Sequence, residues 1–112
     1  MTDLVTIDDF LKLDIRVGTV VDVQPFPEAK KPALKVFVDF GLLGIKKTSA
    51  QITQNHSAET LIGKQVAAVV NFPPRQVGPF MSEILILGFP DDGNFVTLVH
   101  PSKPVPNGGR LY

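Results

Sequence analysis

From Leu13 to Ile52 the chain alternates apolar and polar residues with a period of two, and prolines or glycines cut the alternation before any segment grows long. Leu13, Ile15, Val17, Val21 and Val23 fall on one side of a first segment, with Asp14, Arg16, Asp22 and Gln24 on the other. Pro25 to Pro32 interrupts it. Leu34, Val36, Val38 and Phe40 then form the inward side of a second segment, and Lys35, Phe37 and Asp39 face outward. Gly41 and Gly44 bracket a turn, and Ile45 to Ile52 forms a third segment with Ala50 and Ile52 on its buried side. This pattern builds half-buried strands. Ten Pro and nine Gly among 112 residues provide many turns and leave little room for a long helix. Gly18, in the middle of the first strand, predicts the bulge or sharp bend that a small closed barrel requires.

The rest of the chain continues in short elements. In residues 6–13, Thr6 caps a helix whose first turn carries Asp8 and Asp9. Ile7, Phe10, Leu11 and Leu13 give that helix an apolar side. It is too short to stand alone, so it must dock on the domain or on a partner subunit. Residues 57–62 form a second short helix, with Ser57 as cap and Gly63 as stop. Gln65 to Val70 is a fourth strand, apolar on both faces and therefore central or covered. Phe72 to Met81 holds three prolines and reads as a loop. Ser82 to Phe89 reads as a fifth strand. Asp92-Gly93 turns the chain into an added strand from Phe95 to Val99, and the tail from Pro101 is extended. Three strands, a short helix, two strands and an added one match the order of the OB-fold, a five-stranded Greek-key barrel. The expected fold is thus all-β with short helices, and residues 1–112 form a single domain.

Composition narrows the function. The absence of cysteine excludes disulfides, thiolate chemistry and sulfur-ligated zinc. No apolar run reaches the roughly 18 residues of a membrane span. The start at Met1-Thr2-Asp3 lacks a basic segment leading into an apolar one, so the expectation is a cytoplasmic chain without a signal peptide or membrane insertion. Eleven acidic and eleven basic residues cancel. A nucleic-acid ligand would therefore need lysines concentrated on one face, because phosphate neutralisation drives such binding. His56 and His100 have no acidic partner at metal-ligand or catalytic spacing, and Ser49 and Ser82 have no histidine–acid pair. No glycine motif for phosphates is present. The expectation is a binding protein, without enzyme activity and without cofactors or metals.

Six segments carry a family resemblance. They are Asp14-Ile15-Arg16-Val17-Gly18, the turn from Pro27 to Leu34, and the run from Gly44 to Thr53. They continue with Gly63-Lys64-Gln65-Val66, Val70 to Arg75, and Ser82-Glu83 ahead of Leu85. Over nearly all its length the chain resembles the tRNA-binding-domain family, and within it the branch of export-related chaperones. Lys30-Lys31-Pro32 stands where tRNA-binding members usually carry an Asp-Lys-Leu type of sequence, and Ile84-Leu85 stands where they commonly have Gly-Met. Both departures match the chaperone branch. The resemblance implies a barrel, a homodimer, and either unfolded polypeptide or tRNA as ligand.

The second and third strands form the ligand face of an OB-fold. There Lys46 and Lys47 would meet phosphates, and Thr48, Ser49 and Gln51 would meet bases or peptide backbone. The alternative for these lysines is a solvated edge strand protected against aggregation. Lys30, Lys31 and Lys35 can extend the patch. Arg75 suits a phosphate or carboxylate. Ser82 matches a ligand-face position of the family. Phe37, outward on strand two, can stack on a base or grip an apolar side chain. Phe26, Phe72, Phe80 and Met81 can form an apolar rim for unfolded segments, or else close the core or a dimer contact. The apolar surplus of the last strands, with the N-terminal helix and C-terminal tail, points to a twofold dimer. The first expectation is a dimeric chaperone for unfolded or export-bound polypeptide, and the second is a structured-tRNA-binding module on the same face.

Overall fold

The alternating segments become a five-stranded antiparallel sheet that curls into a nearly closed barrel. The structure, a computed structural model, describes residues 3–53 and 56–112; Met1 and Thr2 of the N-terminal reading lie outside them. After the helix α1 (Ile7–Leu11) come β1 (Ile15–Pro25), β2 (Leu34–Asp39), a 3-10 turn (Gly41–Leu43) and β3 (Ile45–Ala50). The helix α2 (Ala58–Leu61) leads into β4 (Gln65–Val69). Four short strands follow: β5 (Arg75–Val77), β6 (Phe80–Ser82), β7 (Leu85–Ile86) and β8 (Gly88–Pro90), and β9 (Val96–Leu98) ends the series. The sheet order is β3-β2-β1-β4-β7. This is the expected OB-fold barrel.

The length of β1 makes the barrel possible. Ile15 to Thr19 pairs with β4, and Thr19 to Pro25 pairs with β2. One strand therefore belongs to both walls. The C-terminal tail covers the edge of β1 that β2 leaves open: Gly108 N–H donates to Val17 O at 2.8 Å and Leu111 N–H to Ile15 O at 2.8 Å. Val20, Val36, Val38, Phe40 and Val66 are fully buried inside, and Leu61 of α2 packs on them.

Both helices start at capping boxes. Thr6 accepts from Asp9 N–H while the Asp9 carboxylate accepts from Thr6 N–H, and Ser57 and Thr60 do the same for α2. The expected caps are therefore in place. No residue of α1 is buried, and Ile7 and Leu11 are exposed.

Three expectations need correction. The register shift in β1 lies between Val20 and Asp22, not at Gly18. The extra residue turns Val21 outward, and the buried side chains are those of Ile15, Val20 and Val23. Gly18 instead permits close packing, since a Cβ there would lie 2.6 Å from Val38 Cγ1 and 2.8 Å from Asp39 O. The segment 72–81 is not a plain loop but contains the hairpin strands β5 and β6. Its prolines lie outside the paired residues, so they remove no ladder hydrogen bond. The predicted fifth strand is broken in two: β7 completes the barrel sheet beside β4, while β8 pairs with β9 around the expected Asp92-Gly93 turn.

Candidate ligand-binding face

Residues opposite one another in an antiparallel pair share a face. Lys35 faces Ser49 and Phe37 faces Lys47, whereas Val36 faces Thr48 and Val38 faces Lys46. The outer face of β2 and β3 thus carries Lys35, Phe37, Lys47 and Ser49. Lys46 starts from the opposite face, beside the buried Val38. Thr48 points into the core at 3% exposure, and its hydroxyl donates to Ser49 O at 3.1 Å. The adjacent residues Lys46 to Ser49 therefore do not form one patch.

The outer face is partly covered. Phe26 from the proline-rich turn and Phe80 from β6 meet at 5.5 Å between ring centroids, tilted by 55°. With Ala33 they make a second small core, against which Phe37 and Val77 pack. Phe80 is accordingly buried and Phe37 half-buried. Phe37 is therefore not the open stacking ring expected on the outer face, whereas Phe26 and Phe80 take the expected alternative of closing a core. These two rings form an apolar plate beneath the lysines. Lys35 Nζ lies 5.0 Å from the Phe26 centroid and 5.4 Å from that of Phe80; Lys47 Nζ lies 5.1 Å from the latter. Cation–π attraction of this kind contributes about 0.5–1 kcal/mol at exposed sites and orients the ammonium groups.

Beside this plate the edge of β3 meets residues 82–83. Glu83 N–H donates to Lys47 O at 2.8 Å, and Glu83 Oε1 accepts from Lys47 N–H at 3.1 Å. Ser49 N–H donates to Ser82 Oγ at 2.9 Å, and the two serine hydroxyls lie 3.1 Å apart. Side chains thus satisfy edge groups that a regular ladder would otherwise take. A cavity of about 340 Å³ lies along this seam, lined by Ser49, Ser82, Glu83, Phe72, Arg75 and Leu85 among others. Phe72 and Leu85 are 44% and 49% exposed. Met81, expected on the same rim, instead pairs with Gln76 on the face of the β5–β6 hairpin opposite Arg75 and Ser82, and it does not line the cavity. Arg75 is exposed, and its guanidinium makes no ion pair or hydrogen bond among the described residues. The arrangement offers apolar surface, hydroxyls and a guanidinium side by side.

Of the residues expected from the sequence, the fold gathers Thr48, Ser49, Phe72, Arg75 and Ser82 around the cavity, with Lys35 and Lys47 on the neighbouring face. Lys30, Lys31 and Gln51 are exposed on the adjoining turn and strand end. Glu83, Pro73, Val77, Ile84 and Leu85 also line the cavity and were not among the expected site residues. The Ser82-Glu83 and Ile84-Leu85 pairs were visible signals for three of them. Phe26 and Phe80 are distant in sequence, and no spacing announces their contact.

The family described as "Putative tRNA binding domain" matches residues 15–110. The chaperone CsaA of Bacillus anthracis str. Ames superposes with a TM-score of 0.92 at 45% identity, covering 98% of this chain and 100% of that one. The CsaA chaperone protein of Picrophilus torridus gives 0.90 at 45% identity, over 97% and 100%. The methionine–tRNA ligase of Methanococcoides burtonii is 38% identical over 98% of this chain, which spans only 16% of that ligase. Sequence family and fold agree over the same barrel, and the chain belongs to the tRNA-binding-domain family together with the CsaA chaperones.

Proposed function

We propose that the chain is a dimeric cytoplasmic chaperone that holds unfolded or export-bound polypeptide on the outer β2–β3 face and the adjoining cavity, by binding rather than by catalysis. The observation that carries this reading is the exposed apolar rim of Phe72 and Leu85 beside Arg75 and the Ser49–Ser82 hydroxyl pair. Apolar rim residues suit varied side chains, and the polar groups suit an extended backbone and its carboxylates. The CsaA neighbours, themselves described as chaperones, support it. The dimer contact is formed by α1 and the tail. Leu4, Val5, Ile7, Leu11, Leu111 and Tyr112 are all at least half exposed, and Arg110 ties the tail to α1 through Leu11 O at 2.8 Å. Contiguous exposed apolar surface of this kind marks interaction sites. Two faces on one rigid dimer gain avidity for a long chain. Stoichiometric dimer should suppress aggregation of a chemically unfolded client at moderate salt. Unchanged aggregation sinks the reading.

A second reading, a structured-tRNA-binding module, is favoured by Lys35 and Lys47 held over the aromatic plate next to Ser49. Its affinity should fall steeply with salt. A gel shift without a tRNA complex at low salt removes it, and competition between tRNA and an unfolded peptide would show a shared surface.

A further inference from the structure

A second cleft, of about 630 Å³, shares no lining residue with the cavity at the barrel seam. It runs between the end of α2, the start of β4 and the tail. Its walls are fixed. Gly63 N–H donates to Val20 O at 2.8 Å and Val20 N–H to Lys64 O at 2.9 Å, which clamps the Gly63-Lys64 turn on β1. The Gln65 amide donates to Val105 O at 2.6 Å and accepts from Val105 N–H at 3.1 Å, which clamps the tail on β4. Lys64 and Lys103, distant in sequence, are thereby brought to one cleft.

The chemistry of the lining is one-sided. Among the described residues no aspartate or glutamate lines the cleft, although the chain as a whole has equal numbers of acids and bases. Lys64 and Lys103 make no ion pair among the described residues, and the hydroxyls of Thr97 and Ser102 have no hydrogen-bond partner there. Two ammonium groups and two hydroxyls are therefore available as donors. His56 and His100 each have one ring nitrogen on a backbone carbonyl, Val96 O at 3.0 Å and Pro101 O at 2.9 Å. Val66 and Leu98 supply an apolar portion of the wall. The volume exceeds that of one phosphate and falls in the range of small-molecule sites.

We propose that this cleft is an anion site for a phosphorylated ligand, either an oligophosphate or the phosphodiester chain of an RNA, with the phosphates held by Lys64 and Lys103. Ammonium groups bind phosphate as point charges, and hydroxyls complete the shell.

The test is a titration of the full chain with inorganic tripolyphosphate, followed by amide NMR. Shifts should concentrate at the amides of residues 64, 65, 97, 100, 102 and 103. The Lys64→Ala/Lys103→Ala double variant should bind at least tenfold more weakly. A short uridine oligonucleotide that moves the same amides and competes with tripolyphosphate assigns the site to RNA. Tripolyphosphate binding without oligonucleotide binding assigns it to a free phosphorylated metabolite. No shift at these amides in the parent chain, or shifts scattered over every surface lysine, overturns the proposal even if the double variant fails to fold.

Discussion

Glu83 engages Lys47 twice through the backbone of β3: its N–H donates to Lys47 O at 2.8 Å and its carboxylate accepts from Lys47 N–H at 3.1 Å. One residue between β6 and β7 thus caps the edge of β3 with both its backbone N–H and its side chain. The same lysine carries its ammonium to the outer face, over the Phe80 ring. Closure and ligand face therefore meet at one position.

Replacing Glu83 tests the closure. Glu83→Ala removes the acceptor of Lys47 N–H, and a hydrogen bond to a charged group contributes about 1.5–3 kcal/mol. The expected result is a loss of roughly that size in urea unfolding, with faster hydrogen exchange at the Lys47 amide. Glu83→Gln keeps an acceptor and should recover most of the loss. Unchanged exchange at Lys47 in Glu83→Ala would show that the cap does not hold the seam.

Gly18→Ala tests the packing of β1 on β2. The added methyl would stand 2.6 Å from Val38 Cγ1, 2.8 Å from Asp39 O and 2.8 Å from Phe40 Cδ1. Backbone and a fully buried ring both surround the site, so relief must come from strand movement. Overpacking of this kind costs about 1–3 kcal/mol, read as a lowered thermal midpoint. A midpoint equal to the parent's would mean that β1 and β2 separate easily at Gly18.

The walls of the barrel were legible because one face of β2 is buried and the other is not. Val36 and Val38 inside, with Lys35, Phe37 and Asp39 on the other face, leave a single possible phase. The hairpin of β5 and β6 was hidden because Pro73, Pro74 and Pro79 read as loop, although Arg75 to Val77 and Phe80 to Ser82 keep every pairing residue free of proline. The break in the apolar run after Ser82 was hidden for another reason. Periodicity does not say which partner each half takes, and Gly88 is needed because Val96 Cγ1 would lie 2.5 Å from a Cβ there. At the candidate site the residue types were legible and their faces only in part. A period of two already separates Lys46 from Lys47, whereas the contact of Phe26 with Phe80 depends on tertiary closure that no local pattern encodes.

Asp9 gives the N-terminal helix a pH dependence. The Thr6 N–H, then Lys12 and the Thr6 hydroxyl, hold its carboxyl below the ordinary value of 3.8. A depressed folded value stabilises the capped helix above the unfolded value, and that contribution is lost as pH falls through the folded one. The cap should stay closed at and above the ordinary value of 3.8 and open only as pH falls below it. A carboxyl titration of Asp9 by NMR at the ordinary value would contradict this, and Asp9→Asn should remove the transition.

The proposed dimer contact can be removed without touching the core, because α1 contains no buried residue. Ile7→Asp with Leu11→Asp places two charges on its exposed apolar side. Light scattering at micromolar concentration should show the mass fall from dimer to monomer, with the far-UV circular dichroism unchanged. A parent chain that is already monomeric, or a variant that remains dimeric, rules out α1 as the contact. If the dimer supplies avidity, the monomeric variant should also hold an unfolded client at least tenfold less tightly, since effective concentration multiplies two weak sites.

Lys46 and Lys47 are adjacent on β3 but start from opposite faces, which makes them a matched pair for the RNA reading. Lys47 shares its face with Phe37 and lies over Phe80; Lys46 shares its face with the buried Val38. Lys47→Ala should weaken binding of bulk tRNA uniformly and lower the dependence of log affinity on log salt by about one. Lys46→Ala should leave that slope closer to the parent's. Peptide capture at moderate salt should change less than tRNA binding in Lys47→Ala, because apolar contacts at Phe72 and Leu85 are not screened. Equal slopes for the two variants would mean that the outer β2–β3 face is not where tRNA phosphates lie.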